Sequence, residues 1–533
     1  MTKNKQVVVG KNVIEVLTEG MYDNPLVIYR EYVQNSVDSI NHAVELGFLK
    51  KTEDGSVQIS INPHKKCVEI SDNGTGIPRN DAWSLLTSVA ASTKDRKKHL
   101  GFRGIGRLAG LAYCQSLIIE TSYPGEDFKT ELEWDGDQLR KIIGDHDDKR
   151  KASEVIEAIT KFKNDLPENK DLSYFKVKLL NVKHHKILNA DEVKKYLRIV
   201  APVPFKPQFI FSPEITKRLR ASNVNLGELH IAVNDEELRK PYRTNIYRND
   251  NKLEKSIDEI IDVPEIEIFD ESSGKTIAKG WYSLTKQMQR IPAYNEASGI
   301  RIRKGNIEIG DNLTVQRFFS DERFHHYFVG EIHVVSNDLT PNGQRDYFDT
   351  SPTLHIFEEK MYKIAYKLAR LCHDTSAVNS ALEKIGKYEL QMEEFKAKEA
   401  DGKFLSPTHE QEERRKLEDL AEKADSSKEA LKKIEKKAAE DDALSRILKH
   451  RIPEAIAGIS PSSNDDQSQK NEGSKKNGKK RYLTHGFSTL NRKERKIVGD
   501  ILEIINKILT PDIASNLVLK IEEHFRDGES AKK

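Results

Sequence analysis

The stretch "REYVQNSVD", residues 30–38, decides the fold of this 533-residue chain. Glu31, Asn35 and Asp38 recur at steps of four and then three, which places them on one narrow face of a predicted helix. Apolar residues between them, such as Val37, predict a second and buried face. A solvated helix side has the same spacing. Two acids with a carboxamide between them are also an oxygen-ligand set suited to Mg²⁺.

Two glycine-rich stretches follow this helix. "SDNGTGIP", residues 71–78, comes directly after the strand-like "CVEI" and alone resembles a generic turn. "LGFRGIGRLAG", residues 100–110, spaces its glycines as G-x-x-G-x-G, which is neither the dinucleotide fingerprint nor a P-loop. The preceding "SVAASTKDRKKH" supplies hydroxyls and cations suited to phosphate. Because glycine permits close backbone approach, the two stretches together with the acidic helix predict a phosphate-binding site.

The three motifs, E-x-x-x-N-x-x-D, D-x-G-x-G and G-x-x-G-x-G in this order, resemble those of the GHKL ATPase superfamily. That superfamily includes type II topoisomerases, MutL, the ninety-kilodalton heat-shock chaperones, MORC proteins and sensor histidine kinases. The chain looks most similar to MORC- and MutL-like members and to chaperone-like members with a transducer domain. The resemblance implies an α+β protein: a Bergerat-type ATP-binding α/β sandwich, an α+β transducer-like domain and a helical, coiled-coil C-terminal region.

The resemblance also implies ATP and Mg²⁺ as cofactors and gives roles to individual residues. Glu31 would be the general base that activates water, and Asn35 would bind Mg²⁺. Asp72 would accept a hydrogen bond from the adenine amino group, while Thr93 and Lys94 would belong to a mobile lid. The glycines of the third motif would present N–H groups to phosphate at the start of a helix, "RLAGLAYC". The implied nucleotide-binding residues are Asn35, Asp38, Asp72, Gly74, Gly76, Thr93, Lys94, Gly101, Gly104 and Gly106.

Two positions depart from the family pattern. Ser39 stands where the family often has alanine. The fourth motif, usually a glycine-threonine pair before a strand, is not visible, because "SYFKVKLLNV" has Ser173 in the expected place. The role of the fourth motif is therefore not carried over to Ser173.

A basic residue for the γ-phosphate is expected from the middle domain. The segment "NDLTPNGQRDYF" is similar to the chaperone segment that contains such an arginine, so Arg345 is the predicted catalytic sensor. Lys304, in "IRIRKGN", is the alternative. The fork of N–H donors on arginine suits phosphate. An ordinary surface role is an equal alternative for either residue.

Shifts in composition predict five segments. The acidic helix and the predicted hairpin "SVQISINPHKKCVEISDNG" lie in the first, and an apolar seam in residues 410–449 favours a coiled coil or a helical hairpin, with a solvated helix as the alternative. Asn491 with Glu494 resembles a capping box. The predicted segments are an ATP-binding domain at 1–204, a transducer-like domain at 205–355, a helical region at 356–455, a disordered linker at 456–480 and a small helical domain at 481–533.

Retention of Glu31 favours hydrolysis over nucleotide binding alone. The implied mechanism is a nucleotide-gated clamp, a homodimer whose ATP-binding heads associate with ATP and separate after hydrolysis. The MutL-like lid and the basic tracts "KNEGSKKNGKKR" and "NRKERK" favour DNA or RNA as the substrate of the clamp, in genome maintenance or defence. A chaperone-like ATPase that remodels protein clients is the alternative.

Composition bounds the cellular location. The chain has 87 lysines and arginines, 85 acidic residues and three cysteines, so neither a global basic charge nor a disulfide framework is present. Its most apolar stretch, residues 108–119, is too short to span a bilayer. We therefore expect a cytoplasmic protein, or a nucleoid or nuclear one if it binds nucleic acid, without a membrane partner.

Overall fold

The computed structural model describes residues 9–18, 24–89, 106–224, 226–248, 256–404, 407–451, 490–510, 513, 516–521 and 523–524. The chain divides into two compact units, Met1–Cys372 and His373–Lys533. The helices of the first unit are α1 (Asn12–Thr18), α2 (Val27–Glu45), α3 (Arg79–Thr87), α4 (Gly136–Gly144), α5 (Ala152–Ile159), α6 (Ala190–Val200), α7 (Ser212–Ala221) and α8 (Leu313–Gln316).

The first unit also contains the strands of the described chain. The first eight are β1 (Ser56–Asn62), β2 (Cys67–Asp72), β3 (Ser116–Ser122), β4 (Phe128–Asp135), β5 (Thr160–Pro167), β6 (Tyr174–Leu180), β7 (His230–Val233) and β8 (Glu236–Glu237). The others are β9 (Asn245–Tyr247), β10 (Ser256–Asp262), β11 (Glu265–Asp270), β12 (Lys275–Tyr282), β13 (Leu284–Thr285), β14 (Gly299–Lys304), β15 (Ile307–Ile309) and β16 (Val329–Val334).

The first eight strands form one sheet in the order β5-β4-β3-β6-β2-β1-β7-β8. Its pairs are antiparallel except for β1 with β7. The predicted hairpin of β1 and β2 is confirmed, with Val57 opposite Asp72. The predicted mixed α+β architecture is confirmed as well. β7 and β8 complete this sheet although they follow residue 204, where the sequence predicts the end of the first domain.

The two faces of this sheet differ in chemistry. Alternate residues of β1, including Val57 and Ile59, are fully buried in the core that also contains apolar residues of α2. Burying one such side chain contributes about 1.5–3 kcal/mol. The other face carries paired charges across strands, such as Lys163 with Glu131 at 2.9 Å and Lys178 with Glu120. The sheet is thus covered by helices on one side and by ion pairs on the other.

A second sheet, β11-β12-β16-β14-β15, and a three-stranded sheet, β13-β10-β9, follow. Beneath the second sheet lies a fully buried ion network. Lys240 Nζ is 2.7 Å from Glu331 Oε2, Arg303 Nε is 2.5 Å from Glu331 Oε1, and the Tyr242 hydroxyl donates to the same carboxylate. Burial alone would raise the pKa of Glu331, but Arg303 and Lys240 hold it well below its usual range. Arg303 also donates to the carbonyl of Ile199 near the end of α6, which joins this sheet to α6.

The second unit is helical in all its described residues that have regular structure. α9 (Pro352–Ala400) begins in the first unit and is followed by α10 (Pro407–Ala438), α11 (Asp442–Arg451) and α12 (Arg492–Ile508). The predicted capping box at Asn491 is confirmed, since its side chain accepts from the N–H of Glu494. No helix in the described ranges is long and apolar enough to cross a membrane.

α9 and α10 form an antiparallel hairpin. Lys398 of α9 pairs with Glu413 of α10 at 3.3 Å, and at the other end Asp374 pairs with Lys437 at 2.9 Å. The predicted seam positions that are buried in α10 are Ala424, Leu431, Ile434 and Ala438. Of the two predicted arrangements, the hairpin within one chain is the one observed.

Candidate nucleotide-binding site

α2 spans the candidate site and gives it two polar ends. Glu31 and Ser39 are eight positions apart, so they are separated by about 12 Å along the helix axis. Glu31 and Asp38 are buried, and Asn35 is half-buried. No hydrogen bond joins the Asn35 carboxamide to another residue in the described part of the chain. The predicted helix is therefore present, with its polar residues inside the protein rather than in solvent.

Asp72, the last residue of β2, lies at the Ser39 end of α2. Burial raises the pKa of Asp72 to about 7, although hydrogen bonds from the Gly74 N–H and from the Ser36 and Ser39 hydroxyls oppose the rise. The Gly74 N–H donates to Asp72 Oδ1 at 3.0 Å. The structure thus keeps a buried carboxyl group at a strand end, held there by backbone and hydroxyl donors.

The two glycines after Asp72 are needed for close packing. A Cβ at Gly74 would lie 2.1 Å from Ser39 Oγ and 2.7 Å from the carbonyl carbon of Ser39. Gly76 has a φ of +64°, and a Cβ there would lie 2.0 Å from the carbonyl oxygen of Ser122. The "DNGTG" segment therefore packs closely against both α2 and the last residue of β3, which only glycine at these positions allows.

Gly106 lies at the opposite end of α2, beside Glu31. A Cβ at Gly106 would lie 2.6 Å from Glu31 Oε2. The segment that follows is not the predicted α-helix, because residues Gly106–Leu108 and Leu111–Tyr113 form two short 3₁₀ turns. The Gly110 N–H donates to the Tyr32 hydroxyl at 3.1 Å, so the backbone here is hydrogen-bonded to α2 and the helical ladder is interrupted.

Arg107 has a structural contact. Its guanidinium donates to the carbonyl of Ser88, and burial lowers its pKa to about 10. The Tyr32 hydroxyl in turn lies 3.2 Å from the Arg107 carbonyl. Arg107 therefore joins the end of the glycine segment to the residue that follows α3.

Glu31 is also contacted by a loop that is more than 300 residues away in sequence. Arg345 Nε lies 4.0 Å from Glu31 Oε1. Arg30 Nη2 lies 3.3 Å from the same oxygen and donates to the Gln344 carbonyl at 3.0 Å. Arg345 is buried and adopts a φ of +56°. Two guanidinium groups thus converge on the carboxylate that the sequence predicts to be the general base.

Lys304, the alternative to Arg345, points to a different part of this loop. Its Nζ donates to the carbonyls of Ser336 and Leu339 at 2.7 and 2.8 Å. Burial lowers the pKa of Lys304 to about 8, while Asp338 acts in the opposite direction. Lys304 therefore ties down the start of the loop whose other part carries Arg345.

Several predicted site residues lie outside the described residues. These are Thr93, Lys94, Gly101 and Gly104, together with the neighbouring Ser92 and Arg103. At the place of the missing fourth motif, β6 begins with Tyr174 and its Phe175 pairs with Asp72 in the sheet. A backbone hydrogen bond from Phe175 is one of the contacts that lower the pKa of Asp72, against the larger effect of burial.

Comparison with known proteins agrees with this geometry. The family described as "Histidine kinase-, DNA gyrase B-, and HSP90-like ATPase" matches residues 26–165, which include the acidic helix and both glycine-rich stretches. Residues 26–165 form a GHKL ATPase domain. The resemblance predicted from the motifs is confirmed for this part of the chain.

Relatives of the GHKL domain include bacterial chaperones. Chaperone protein HtpG of Buchnera aphidicola is 25% identical over 142 residues, which cover 24% of this chain and 23% of that protein. HtpG of Helicobacter pylori is 25% identical over 134 residues, or 21% of either chain. HtpG of Campylobacter jejuni subsp. doylei is 29% identical over 87 residues, or 15% of this chain and 14% of its own. The matches thus span less than a quarter of these relatives.

Sequence reasoning missed three contributors to the site of the GHKL domain. Ser36 and Ser39 contact Asp72, and Arg30 bridges Glu31 and Gln344. The two serines are three positions apart, so they share a helix face, but their partner lies on a strand more than 30 positions away and left no local signal. Arg30 directly precedes the predicted base Glu31 in the sequence. This adjacency was the one sequence feature that could have indicated a contact between the two side chains.

Proposed function

We propose that this protein is a Mg²⁺-dependent ATPase in which ATP hydrolysis takes place at Glu31. The observation that carries the proposal is the meeting of three predicted groups at one point. A Cβ at Gly106 of the glycine segment would lie 2.6 Å from Glu31 Oε2, and Arg345 Nε lies 4.0 Å from Glu31 Oε1. A base, a phosphate-binding backbone and a cation for phosphate charge are the parts that phosphoryl transfer to water requires.

In this mechanism Glu31 orients a water molecule and accepts one of its protons. The water oxygen bonds to the γ-phosphorus as the bond to the β–γ bridging oxygen breaks, so that ADP and phosphate leave. Arg345 would stabilise the negative charge on the transferred phosphoryl group. Arg30 holds Glu31 in place and, through the Gln344 carbonyl, holds the loop of Arg345 against it.

The residues present fit a magnesium ion. Mg²⁺ prefers few protein oxygens together with water and phosphate oxygens, and the Asn35 carboxamide offers one such oxygen. Within the described ranges no group of three His, Cys, Asp or Glu side chains could hold a metal ion. We propose that Asn35 supplies one ligand and that phosphate oxygens of the nucleotide supply others. The ion, when bound, neutralises charge on the phosphates.

The adenine end is supported by Asp72. Its buried carboxyl group, held at a strand end by Gly74, would accept a hydrogen bond from the adenine amino group. Gly74 and Gly76 let the backbone after Asp72 pack closely against Ser39 and Ser122, which fixes the position of this carboxyl group. Asp38 is buried on the same helix one residue before Ser39, and we propose that it also contacts the nucleotide.

We also propose that ATP binding and hydrolysis close and open a homodimeric clamp. α12 exposes a continuous isoleucine stripe at steps of four, three and four, while its other apolar face packs within the chain. The stripe consists of Ile497, Ile501, Ile504 and Ile508. Soluble monomers rarely expose such a stripe, and a second copy of α12 would cover it.

Sedimentation should show a dimer for the natural chain and a monomer for Ile501→Asp. A natural chain that is monomeric with and without an ATP analogue would exclude the clamp.

Two substrates of the clamp are proposed. The similarity of the GHKL domain to HtpG chaperones favours protein clients. The sequence tracts "KNEGSKKNGKKR" and "NRKERK" favour DNA or RNA. Stimulation of ATP turnover by oligonucleotide at low salt, compared with stimulation by an unfolded protein, distinguishes the two.

The decisive experiment compares Glu31→Ala with Glu45→Ala, a matched change of an exposed glutamate at the end of the same helix. We expect Glu31→Ala to bind a non-hydrolysable ATP analogue normally and to lose at least about 100-fold in turnover. Glu45→Ala should hydrolyse ATP at the natural rate. Full turnover by Glu31→Ala would refute the role of Glu31, and no nucleotide binding by the natural chain would refute the proposed ATPase.

A further inference from the structure

Two neighbouring loops form a cationic surface on the first sheet. One is the turn between β1 and β2, residues 63–66, and the other follows β6, residues 181–186. The Val182 N–H donates to the Lys66 carbonyl at 2.8 Å, which holds the loops side by side. We call this the lysine–histidine surface; it consists of Lys65, Lys66, Lys183, His184, His185 and Lys186.

The charge of the lysine–histidine surface is largely unneutralised. Neither loop contains an acidic residue. Lys183 pairs with Asp137 at 2.7 Å, whereas Lys65, Lys66 and Lys186 form no ion pair with any residue that the structure describes. On the charged face of the same sheet, by contrast, lysines such as Lys163 are paired with glutamates across the strands. Unpaired, exposed lysines at one place attract a polyanion.

The same surface carries flat aromatic rings. The imidazoles of His184 and His185 are stacked, with centroids 5.1 Å apart and planes 13° from parallel. The Tyr113 ring meets His184 edge-on at 5.9 Å, which fixes the orientation of the stack. His185 is exposed, so the stack is accessible from solvent.

We propose that the lysine–histidine surface binds single-stranded nucleic acid. Its lysines would contact phosphates, and the exposed His185 ring would stack on a base. Aromatic rings beside cations favour nucleobases over lipid headgroups or acidic peptides, which present no flat ring.

This surface is separate from the nucleotide site. Lys66 directly precedes the first residue of β2 and Asp72 is its last, so the two lie at opposite ends of the strand, about 20 Å apart along it. Binding there needs no ATP. The proposal therefore goes beyond the proposed ATPase and can be tested without it.

The test measures fluorescence anisotropy of a labelled 20-nucleotide oligo-dT with the full chain, without ATP, between about 50 and 200 mM salt. Lys65→Gln/Lys66→Gln is compared with Lys161→Gln/Lys163→Gln, which removes the same charge from lysines that are ion-paired on β5. The first variant should bind about tenfold more weakly. Its log–log salt slope should be shallower by about 1.4, since each phosphate contact on a single strand contributes about 0.7. The second variant should bind as the natural chain does.

A third variant tests the stacked ring. His185→Ala should weaken binding about tenfold with the salt slope unchanged, and His185→Phe should restore it. Equal weakening by the two lysine variants, no binding by the natural chain at 50 mM salt, or tighter binding to phosphatidylserine vesicles than to the oligonucleotide would overturn the proposal. ATP turnover is measured separately, so a chain that hydrolyses ATP without binding oligo-dT overturns this proposal and leaves the proposed ATPase standing.

Discussion

Lys304→Met should reduce ATP turnover while leaving nucleotide affinity nearly unchanged. Lys304 contacts neither Glu31 nor the "DNGTG" segment; it donates to the Ser336 and Leu339 carbonyls at the start of the loop that carries Arg345. Without these bonds the loop is held less firmly, and Arg345 spends less time beside Glu31. The nucleotide-binding contacts of α2 and Asp72 are untouched by the change.

The magnitude follows from two opposing effects. Two hydrogen bonds from an ammonium group to partly buried carbonyls contribute about 4.5 kcal/mol together. Burying the ammonium has a cost, because a fall of the Lys304 pKa from 10.5 to about 8 corresponds to about 3 kcal/mol. A methionine at position 304 loses the contribution of the two hydrogen bonds but avoids the cost of burying a charge. The difference of about 1.5 kcal/mol predicts a roughly tenfold loss of turnover.

The pH dependence gives this prediction a distinctive signature. Below about pH 8 Lys304 carries its charge, and above it the neutral amine binds the two carbonyls less strongly, so turnover should decline on the alkaline side. The free energy of unfolding should instead rise with pH over the range in which turnover declines. The unfolded chain keeps the proton up to about pH 10.5, so it binds more protons than the folded chain between these values, and the free energy of unfolding rises with pH there. Lys304→Arg, which stays charged, should abolish both effects.

The assay is steady-state ATP hydrolysis from pH 6 to 10, together with analogue binding and thermal denaturation of each variant. Lys275→Met is the matched control, since Lys275 is an exposed lysine of β12 in the same sheet. A Lys304→Met protein that binds the nucleotide more weakly but turns it over at the natural rate would refute the reasoning.

Two further predictions concern packing. Gly74→Ala should weaken nucleotide binding at least about tenfold, because its Cβ would lie 2.1 Å from Ser39 Oγ and also too near the Ser39 backbone for a side-chain rotation to relieve. Gly144→Ala, whose Cβ meets nothing within 4 Å, should bind as the natural chain does, and calorimetric titration of both checks this. Lys240→Met should lower the free energy of unfolding by about 3–5 kcal/mol, since it leaves the buried Glu331 with one fewer cation. Urea denaturation measures this loss, and a change below about 1 kcal/mol would show that the network contributes little.

Local sequence patterns were sufficient to predict the elements that form the candidate nucleotide site. The helical spacing of Glu31, Asn35 and Asp38 and the alternation of β1 and β2 are properties of neighbouring residues, so they predicted α2 and the hairpin correctly. The glycine spacing identified positions where a side chain does not fit.

Contacts between distant segments were not predictable in this way. The helix expected after Gly106 was wrong because the Gly110 N–H bonds to the Tyr32 hydroxyl, a partner 78 positions away. The proposal of Arg345 came from a resemblance, and periodicity carried no sign of its contact with Glu31. The part played by Lys304 depends on loop carbonyls, which no side-chain pattern reveals.

The hydrogen bond between Arg30 and Gln344 has a consequence for the newly made protein. Its two residues are 314 positions apart, and ribosomes add about 5–20 residues per second, so the second follows the first by roughly 15 to 60 s. During that interval the first sheet and its helices can fold while Arg345 of the loop does not yet exist. Under the proposed mechanism, Glu31 and Asp72 would be in place before Arg345 is added, and ATP turnover would begin only after the second sheet has been synthesised.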